Sequence, residues 1–298
     1  MQIAIIIPVY NHLSFTKQAL ADLSSALKDI QEPLFPVIII DDGSSDGTGE
    51  WININYPDVH LLQGDGNLWW SGAVNMGARY ALESLKADFI LLWNNDINFD
   101  GCYFRNLIRI IKENNNDTII GSKILVEEQP DIIWSMGGYF NPVSGKHGMV
   151  GYFKKNEEVY KKVFEADWLT GMGTIIPGQI IEKLGYWDNI NFPQYSGDSD
   201  FTYRAKLKGH KIIVHPDLIL FNKTEHSGVT RPHSFKQLLN LLTDNRSKSN
   251  FKRNLKFYKL YAKSCRAYMH FYWKYCLIFG GFIKWKIFDV FGIRKKRT

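Results

Sequence analysis

The sequence has few cysteines and lacks several common catalytic motifs. Three cysteines occur among 298 residues and none forms a CxxC pair, which excludes a disulfide scaffold and a cysteine zinc site. Isolated cysteines are typically small buried apolar residues, and we expect this of Cys102, Cys265 and Cys276. The stretches GxxxxGK and HExxH are absent, which argues against a P-loop kinase and a zinc protease.

Long apolar runs are also missing. The opening MQIAIIIPVYN lacks the basic region and the cleavage site of a signal peptide, so it is typical of a first strand. Near the C-terminus, only nine residues separate Lys274 from Lys284, well short of the ~20 that cross a bilayer. These features, with the scarcity of cysteine, predict a protein of the reducing cytoplasm.

Charge is distributed unevenly along the chain. The net charge is +6, but residues 246–298 carry fifteen Lys and Arg against the single acid Asp289, and the other residues have a net charge of −8. This asymmetry predicts an acidic catalytic body followed by a basic, aromatic helical extension over residues 233–298. We expect the extension to lie on an anionic membrane surface, at the inner face of the cell membrane. Packing on the domain or on a dimer partner is the alternative, and nucleic acid is not expected.

Buried apolar runs alternate with helical periodicity over the first hundred residues. Strands are predicted at residues 2–9, 37–40, 59–62 and 89–93, and helices at 14–28, capped by Ser14, and at 73–86. This order predicts an α/β fold with a doubly wound, largely parallel sheet. Polar loops follow the strands at the carboxyl edge, where such sheets bind ligands.

The second half of the chain is less regular. Helical signals return at residues 179–184 and 199–208, and the chain is predicted to be helical from Ser234 onward. No internal repeat or long linker separates the halves. We therefore expect the second half to pack on the first within one globule.

Two polar clusters follow predicted strands. Asp41 and Asp42 begin DDGSSDGT, where paired carboxylates can accept hydrogen bonds from a base and a ribose; an acidic turn that caps the next helix is the alternative. Asn94, Asn95 and Asp96 follow FILLW. One carboxylate between amides suits Mg²⁺ or Mn²⁺ completed by a diphosphate, although an ordinary Asn-rich turn also fits.

A third cluster, GDSDFTYR, begins a predicted helix. Asp200 and Arg204 are spaced to pair, which leaves Asp198 to face a cleft as a general base; the alternative role for Asp198 is a helix cap. His226 gains interest only if its loop lies near Asp96. The tryptophans at positions 69, 70 and 168 lie in Gly-rich loops, as core anchors or as sugar-stacking surfaces.

Taken together, these segments resemble family 2 glycosyltransferases of the GT-A fold, including their rhamnosyltransferase-like branch. The matching segments, in order, are IIIPVYN (5–11), IIIDDGSSDGT (38–48), GNLWWSGAVNMG (66–77), LLWNNDI (91–97), DWLTGMGTIIP (167–177), LGYWD (184–188), GDSDFTYR (197–204) and EHSG (225–228). The resemblance implies a mixed, mostly parallel sheet flanked by helices, in a domain of residues 1–232. Residues 1–120 form its nucleotide-sugar half and residues 121–232 its acceptor half.

The resemblance also implies a reaction, inverting transfer of a sugar from a UDP- or dTDP-sugar to a saccharide or lipid-linked acceptor of surface polysaccharide or glycolipid synthesis, with Mg²⁺ or Mn²⁺. The implied roles are nucleotide-sugar binding by Pro8, Tyr10, Asp41, Asp42, Asn75, Asn94 and Asn95; metal binding by Asp96 and His226; catalysis by Asp198; and acceptor binding by Trp168 and Gly171. Two positions depart from the family pattern, since Asn94 replaces the first acid of DxD and Gly197 replaces the acid before the base.

Two alternatives to this reaction are considered. A sugar nucleotidyltransferase would need a Gly-rich, basic loop after the first strand, which PVYNHLSF lacks. A nucleotide-sugar or carbohydrate-binding protein without catalysis would have no need of Asp42, Asp96 and Asp198 together.

Overall fold

The computed structural model describes residues 1–114, 116–223 and 232–290 of the chain. The strands are β1 (Ile3–Val9), β2 (Val37–Asp41), β3 (His60–Gln63), β4 (Phe89–Leu92), β5 (Ile97–Phe99), β6 (Thr118–Val126), β7 (Gln129–Ser135), β8 (Gly138–Phe140), β9 (His147–Met149), β10 (Lys154–Lys155), β11 (Phe164–Glu165), β12 (Thr174–Pro177) and β13 (Lys211–Asn222). The helices are α1 (Leu13–Leu27), α2 (Thr48–Asn55), α3 (Trp69–Arg79), α4 (Tyr103–Glu113), α5 (Gly178–Leu184), α6 (Gly197–Leu207), α7 (Phe235–Thr243), α8 (Phe251–Tyr261) and α9 (Cys265–Val290).

One large sheet forms the centre of the fold. Its order is β10-β7-β6-β12-β4-β1-β2-β3, and β13 lies alongside β6 and also pairs with β5 and β11. Strands β1 to β4 pair in parallel. Alternate residues of β1 enter two different apolar clusters, Ile6 in one and Ile5 in the other, which explains its unbroken apolar sequence.

The predicted elements of the first half form within a few residues of their expected bounds. Ser14 is not the cap of α1, because the helix already begins at Leu13 and the preceding His12 makes no side-chain cap hydrogen bond. Instead, the backbone N–H of Leu13 donates to Oδ2 of Asp46 at 2.9 Å. An acid from another loop therefore satisfies this helix terminus, which no local pattern could predict.

The second half of the chain completes the same sheet. β12 runs antiparallel between β4 and β6, and β13 runs parallel to β6 with a register shift between His215 and Ile219. Every residue of β6 is buried. β6, β12 and β13 thus join the sheet that β1 to β4 begin, and the irregular sequence after Gly121 contains short strands.

The chain divides into two compact units. The first contains Met1–Tyr139 and Gly148–His226, and the second contains Phe140–His147 and Ser227–Thr298. In the second unit, α8 contacts α7 and α9. Among the described residues, no helix is long and apolar enough to cross a membrane.

The cysteines are exposed, contrary to expectation. Cys102 precedes α4, and Cys265 and Cys276 lie on α9. The buried face of α9 runs through Ala267 and Tyr275, and the two cysteines of this helix lie off that face. Their exposure follows from the position of the helix face rather than from residue type.

Candidate active site

The loops after β1 and β2 are joined by side-chain hydrogen bonds. The N–H of Asn11 donates to Oγ of Ser44 at 2.7 Å, and Oδ1 of Asn11 accepts from the N–H of Ser45 at 2.9 Å. The Thr48 hydroxyl donates to Asp46 at 2.6 Å and holds the pKa of Asp46 below its ordinary value. Sequence reasoning missed Asn11 and Asp46 as organisers of these loops, although Asn and Asp are residues that bond turns in this way.

An open groove of about 640 Å³ lies beside the end of β2. Asp41, Ser44, Glu50 and Gln63 are among its lining residues. Asp41 is buried, and its Oδ1 accepts from the N–H of Ser44 at 2.9 Å. The groove therefore presents carboxylates and hydroxyls at the carboxyl edge of the parallel strands, which suits a ligand rich in hydroxyl donors.

The end of β1 carries two of the predicted nucleotide contacts. Pro8 is paired with Ile40 of β2, while Tyr10, just beyond the strand, is 50% exposed. The two residues therefore lie at the same edge of the sheet as Asp41, and the Tyr10 side chain is accessible to a ligand.

Asp42 organises the loop after β3. Its Oδ1 accepts from the N–H groups of Gly66 at 2.9 Å and Leu68 at 3.2 Å, and its Oδ2 accepts from the N–H of Trp69 at 3.0 Å. Trp69 has a left-handed backbone (φ 56°), which is strained for a bulky residue. The structure thus gives Asp42 a capping role at α3. A carboxylate has about four acceptor sites, and base binding by Asp42 remains a prediction.

Asn94, Asn95 and Asp96 directly follow β4. The Asn95 amide donates to Oγ1 of Thr16 at 3.0 Å, which ties this loop to α1. No group of three His, Cys, Asp or Glu residues that could hold a metal occurs in the described parts of the chain. A single carboxylate beside amides still fits Mg²⁺ or Mn²⁺, which combines one or two carboxylates with substrate phosphates and water. His226 lies outside the described residues.

Asp198 occupies the first turn of α6. Its Oδ2 accepts from the N–H of Gly171 at 3.0 Å, and its Oδ1 accepts from the N–H and the hydroxyl of Ser199 at 2.8 and 3.2 Å. Burial raises the pKa of Asp198 although these hydrogen bonds act to lower it. The expected ion pair is present, with Nε of Arg204 2.9 Å from Oδ2 of the buried Asp200.

The loop that contains Gly171 lies at the same sheet edge as Asp96. It precedes β12, and the N–H of Gly173 donates to the carbonyl oxygen of Leu92, the last residue of β4, at 2.9 Å. Since β12 is antiparallel to β4, the start of one strand lies beside the end of the other. The topology therefore places Asp198, through Gly171, at the edge where the polar loops after β1, β2 and β4 begin.

Two other predicted site residues have structural contacts. Trp168 is only 7% exposed, and its ring packs so closely on Gly138 that a Cβ there would lie 1.9 Å from it. Trp168 therefore fits the alternative role of a core anchor. The side-chain amide of Asn75 donates to the carbonyl oxygen of Trp187 and accepts from the backbone N–H of the same residue, both at 2.9 Å. These contacts join α3 to the segment before α6, and the ligand contacts of Trp168 and Asn75 remain predictions.

Known proteins resemble both the sequence and the fold. Hexosyltransferase Agl10 of low-salt glycan biosynthesis in Haloferax volcanii is 28% identical over 178 residues, 59% of this chain and 54% of that protein. An undecaprenyl-phosphate mannosyltransferase of Micrococcus luteus is 34% identical over 86 residues, 28% of this chain and 33% of that protein. The chain thus spans about half the length of the first of these relatives and a third of the second.

The structural comparison supports the expected architecture. The mannosyltransferase PcManGT from Pyrobaculum calidifontis, solved with GDP-Man and Mn²⁺, has a TM-score of 0.57 at 13% identity and covers 93% of this chain and 69% of its own. The mixed, mostly parallel sheet with flanking helices and a C-terminal helical region confirms the predicted GT-A fold. The model for "Glycosyl transferase family 2" matches residues 4–172, more than half of the sequence and most of the sheet edge just described, so this chain belongs to that family.

Proposed function

We propose that the protein transfers a sugar from a nucleotide diphosphate to an acceptor hydroxyl, with inversion at the anomeric carbon. The observation that carries this proposal is the position of Asp198, a half-buried carboxylate held by the Gly171 N–H at the polar edge of the sheet, where burial also raises its pKa. Family membership and relatives named as hexosyl- and mannosyltransferases support it. Synthesis of a surface glycan or glycolipid is the proposed context.

The donor is proposed to bind across the ends of β1, β2 and β4. Asp41 and the exposed Tyr10 offer a carboxylate and an aromatic ring to the nucleoside. Pro8, Asp42 and Asn75 are the further contacts proposed for the donor. Asn94 and Asn95 are the proposed contacts of the diphosphate. We propose a UDP- or dTDP-sugar, while the solved mannosyltransferase neighbour contains GDP-Man.

Asp96 and His226 are the residues proposed to hold a divalent cation. When bound, Mg²⁺ or Mn²⁺ would act as a Lewis acid that stabilises charge on the leaving diphosphate. Mn²⁺ in the solved neighbour supports a divalent ion. The amide of Asn95, bonded to Thr16, keeps the Asp96 loop against α1.

Asp198 is proposed to act as general base. It removes the proton of the acceptor hydroxyl while that oxygen attacks the anomeric carbon from the face opposite the diphosphate. The bond between carbon and diphosphate oxygen breaks, the diphosphate leaves with its electron pair, and the proton remains on Asp198. Trp168 and Gly171 are the proposed acceptor contacts, and a saccharide or lipid-linked saccharide is the proposed acceptor.

Thermal unfolding with a panel of nucleotide sugars tests the donor proposal. A ligand at ~100 times its Kd adds about 2.7 kcal/mol to stability, so the matching donor with Mn²⁺ or Mg²⁺ should raise Tm by about 5 °C or more. ATP with the same metal serves as the control. A panel in which no nucleotide sugar exceeds ATP would contradict the proposal. Binding without hydrolysis or transfer would favour a binding protein that lacks catalysis.

We further propose that the C-terminal unit contacts an anionic membrane surface at the cytoplasmic face. Residues 232–290 contain twelve Lys and Arg and two acids. On α9, the exposed Met269, Trp273 and Leu277 recur every four residues, and the exposed Ile283 follows. An apolar, aromatic stripe with lysines is typical of a helix that lies in the membrane interface.

Vesicle flotation tests this contact. The full chain should float with vesicles that contain phosphatidylglycerol, and replacement of Trp273 and Ile283 by Ser should reduce the floated fraction at least tenfold, because both apolar side chains are exposed on α9. Phe235→Ser on α7 is the matched control, since Phe235 and Trp273 are both 62% exposed. Equal flotation of the Trp273, Ile283 double variant and the full chain would rule out membrane docking by α9.

A further inference from the structure

The first turn of α3 contacts the segment that leads into α6. The Ser71 hydroxyl donates to the carbonyl oxygen of Phe192 at 2.6 Å, and the Ser71 N–H donates to that of Pro193 at 2.8 Å. The backbone N–H of Trp70 donates to Oε1 of Gln194 at 3.3 Å. These bonds cross more than 120 residues of sequence, so the donor-side helix directly supports the backbone that precedes the proposed base.

A second set of contacts links the same helix to Asp198, through Trp70 and Gly171. A Cβ at Gly171 would lie 2.2 Å from Cζ2 and 2.9 Å from Cη2 of Trp70, so the indole lies directly against the Gly171 backbone. The N–H of Gly171 donates to Oδ2 of Asp198 at 3.0 Å. The half-buried Trp70 ring therefore fixes a residue that holds one carboxylate oxygen of Asp198.

We propose that Trp70 is a positioning residue for Asp198, coupling the helix capped by Asp42 on the donor side to the carboxylate on the acceptor side. The expected effect on catalysis rests on the proposed function. The contact between Trp70 and Gly171 does not depend on it. Its chemical basis is the Gly171 hydrogen bond, which stabilises the ionised form of Asp198. When the ring is lost, the Gly171 loop loses its packing partner and this hydrogen bond weakens.

The contact requires the six-membered ring of an indole. The two Trp70 atoms nearest a Cβ at position 171 are Cζ2 and Cη2, both in the six-membered ring and beyond the reach of the shorter Phe side chain. Trp70→Phe should therefore resemble Trp70→Leu rather than the native protein. If Trp70 served only as an aromatic surface on which a sugar stacks, Trp70→Phe would instead keep native activity.

The decisive test is an NMR titration of Asp198 in protein with ¹³C-labelled aspartate, combined with kinetics. In Trp70→Phe and Trp70→Leu, the pKa of Asp198 should rise above the native value and the acid limb of the kcat profile should move to higher pH by the same amount. We expect kcat to fall on the order of 10²-fold, the cost of a misplaced catalytic group, with the donor KM nearly unchanged. Trp51→Phe on α2, whose ring contacts Lys17 and Tyr56, is the control and should leave both pKa and kcat unchanged.

Two outcomes would overturn the proposal, an unchanged Asp198 pKa in folded Trp70 variants, or native behaviour of Trp70→Phe. A reciprocal pair of variants guards against simple unfolding. Gly171→Ala should lower Tm, because its Cβ would collide with Trp70, and adding Trp70→Leu should recover part of the loss. If Asp198 proved not to be the base, its pKa would still shift in the Trp70 variants, so the two proposals can fail separately.

Discussion

Replacing Asp198 by Asn should slow sugar transfer on the order of 10³-fold, within the range that general base catalysis contributes. The amide cannot take the acceptor proton, yet it keeps one oxygen to accept from Gly171 or Ser199. Donor binding, measured by the rise in Tm with nucleotide sugar, should remain near the native value. Product formation under saturating donor is the direct measurement.

The pH profile gives a second measure of the same residue. Burial raises the Asp198 pKa from its ordinary 3.8, and the base acts as a carboxylate, so kcat should fall as the pH drops through that raised pKa. Asp167→Asn is the matched control, because it removes a partly exposed carboxylate that is paired with Lys206 at 2.6 Å, and it should cost less than a few-fold. If Asp198→Asn turned over at the native rate, the base would have to be another residue.

Replacing Asp96 by Asn should give the second large loss. Asp96 is the single carboxylate of its loop, and metal stabilisation of a leaving group supplies several kcal/mol, so turnover should fall about 10²-fold or more. The rise in Tm that Mn²⁺ adds in the presence of the nucleoside diphosphate should also disappear, which measures metal binding apart from catalysis.

Asp100 provides the control for this charge removal. Its Oδ1 accepts from the N–H of Cys102 at 2.8 Å at the start of α4, four residues beyond Asp96. Asp100→Asn should retain the metal-dependent rise in Tm and most of the activity. Native turnover of Asp96→Asn, or of the unaltered protein in excess EDTA, would argue against metal dependence.

The features predicted well from the sequence are those determined by residues close together in the chain. The apolar run of β1 and the polar residues after β2 and β4 locate the sheet and its carboxyl edge. The spacing of Asp200 and Arg204 predicts their ion pair because four residues form one helical turn. The end of a strand and one turn of a helix each involve only a few neighbouring residues, so both can be predicted from a short stretch of sequence.

Contacts between distant segments are what sequence reasoning missed. The acid that satisfies Leu13 comes from the loop after β2, and the Asn75 amide is bonded to Trp187. Gly197 illustrates the point, because a Cβ there would lie 2.1 Å from Oγ of Ser71. A side chain at position 197 would therefore displace the Ser71 hydroxyl, a constraint that becomes visible only once α3 and α6 are placed together.

The antiparallel β12 also has a consequence for recombination between related enzymes. Although it belongs to the second half of the chain, it lies between β4 and β6, so the hydrogen bonds between β12 and β4 form a seam that joins the two halves. In a chimera spliced at residue 120, the two strands of this seam would come from different parents. Exchange of whole loops at the sheet edge preserves the seam, and is the better route to altered substrate selectivity in this scaffold.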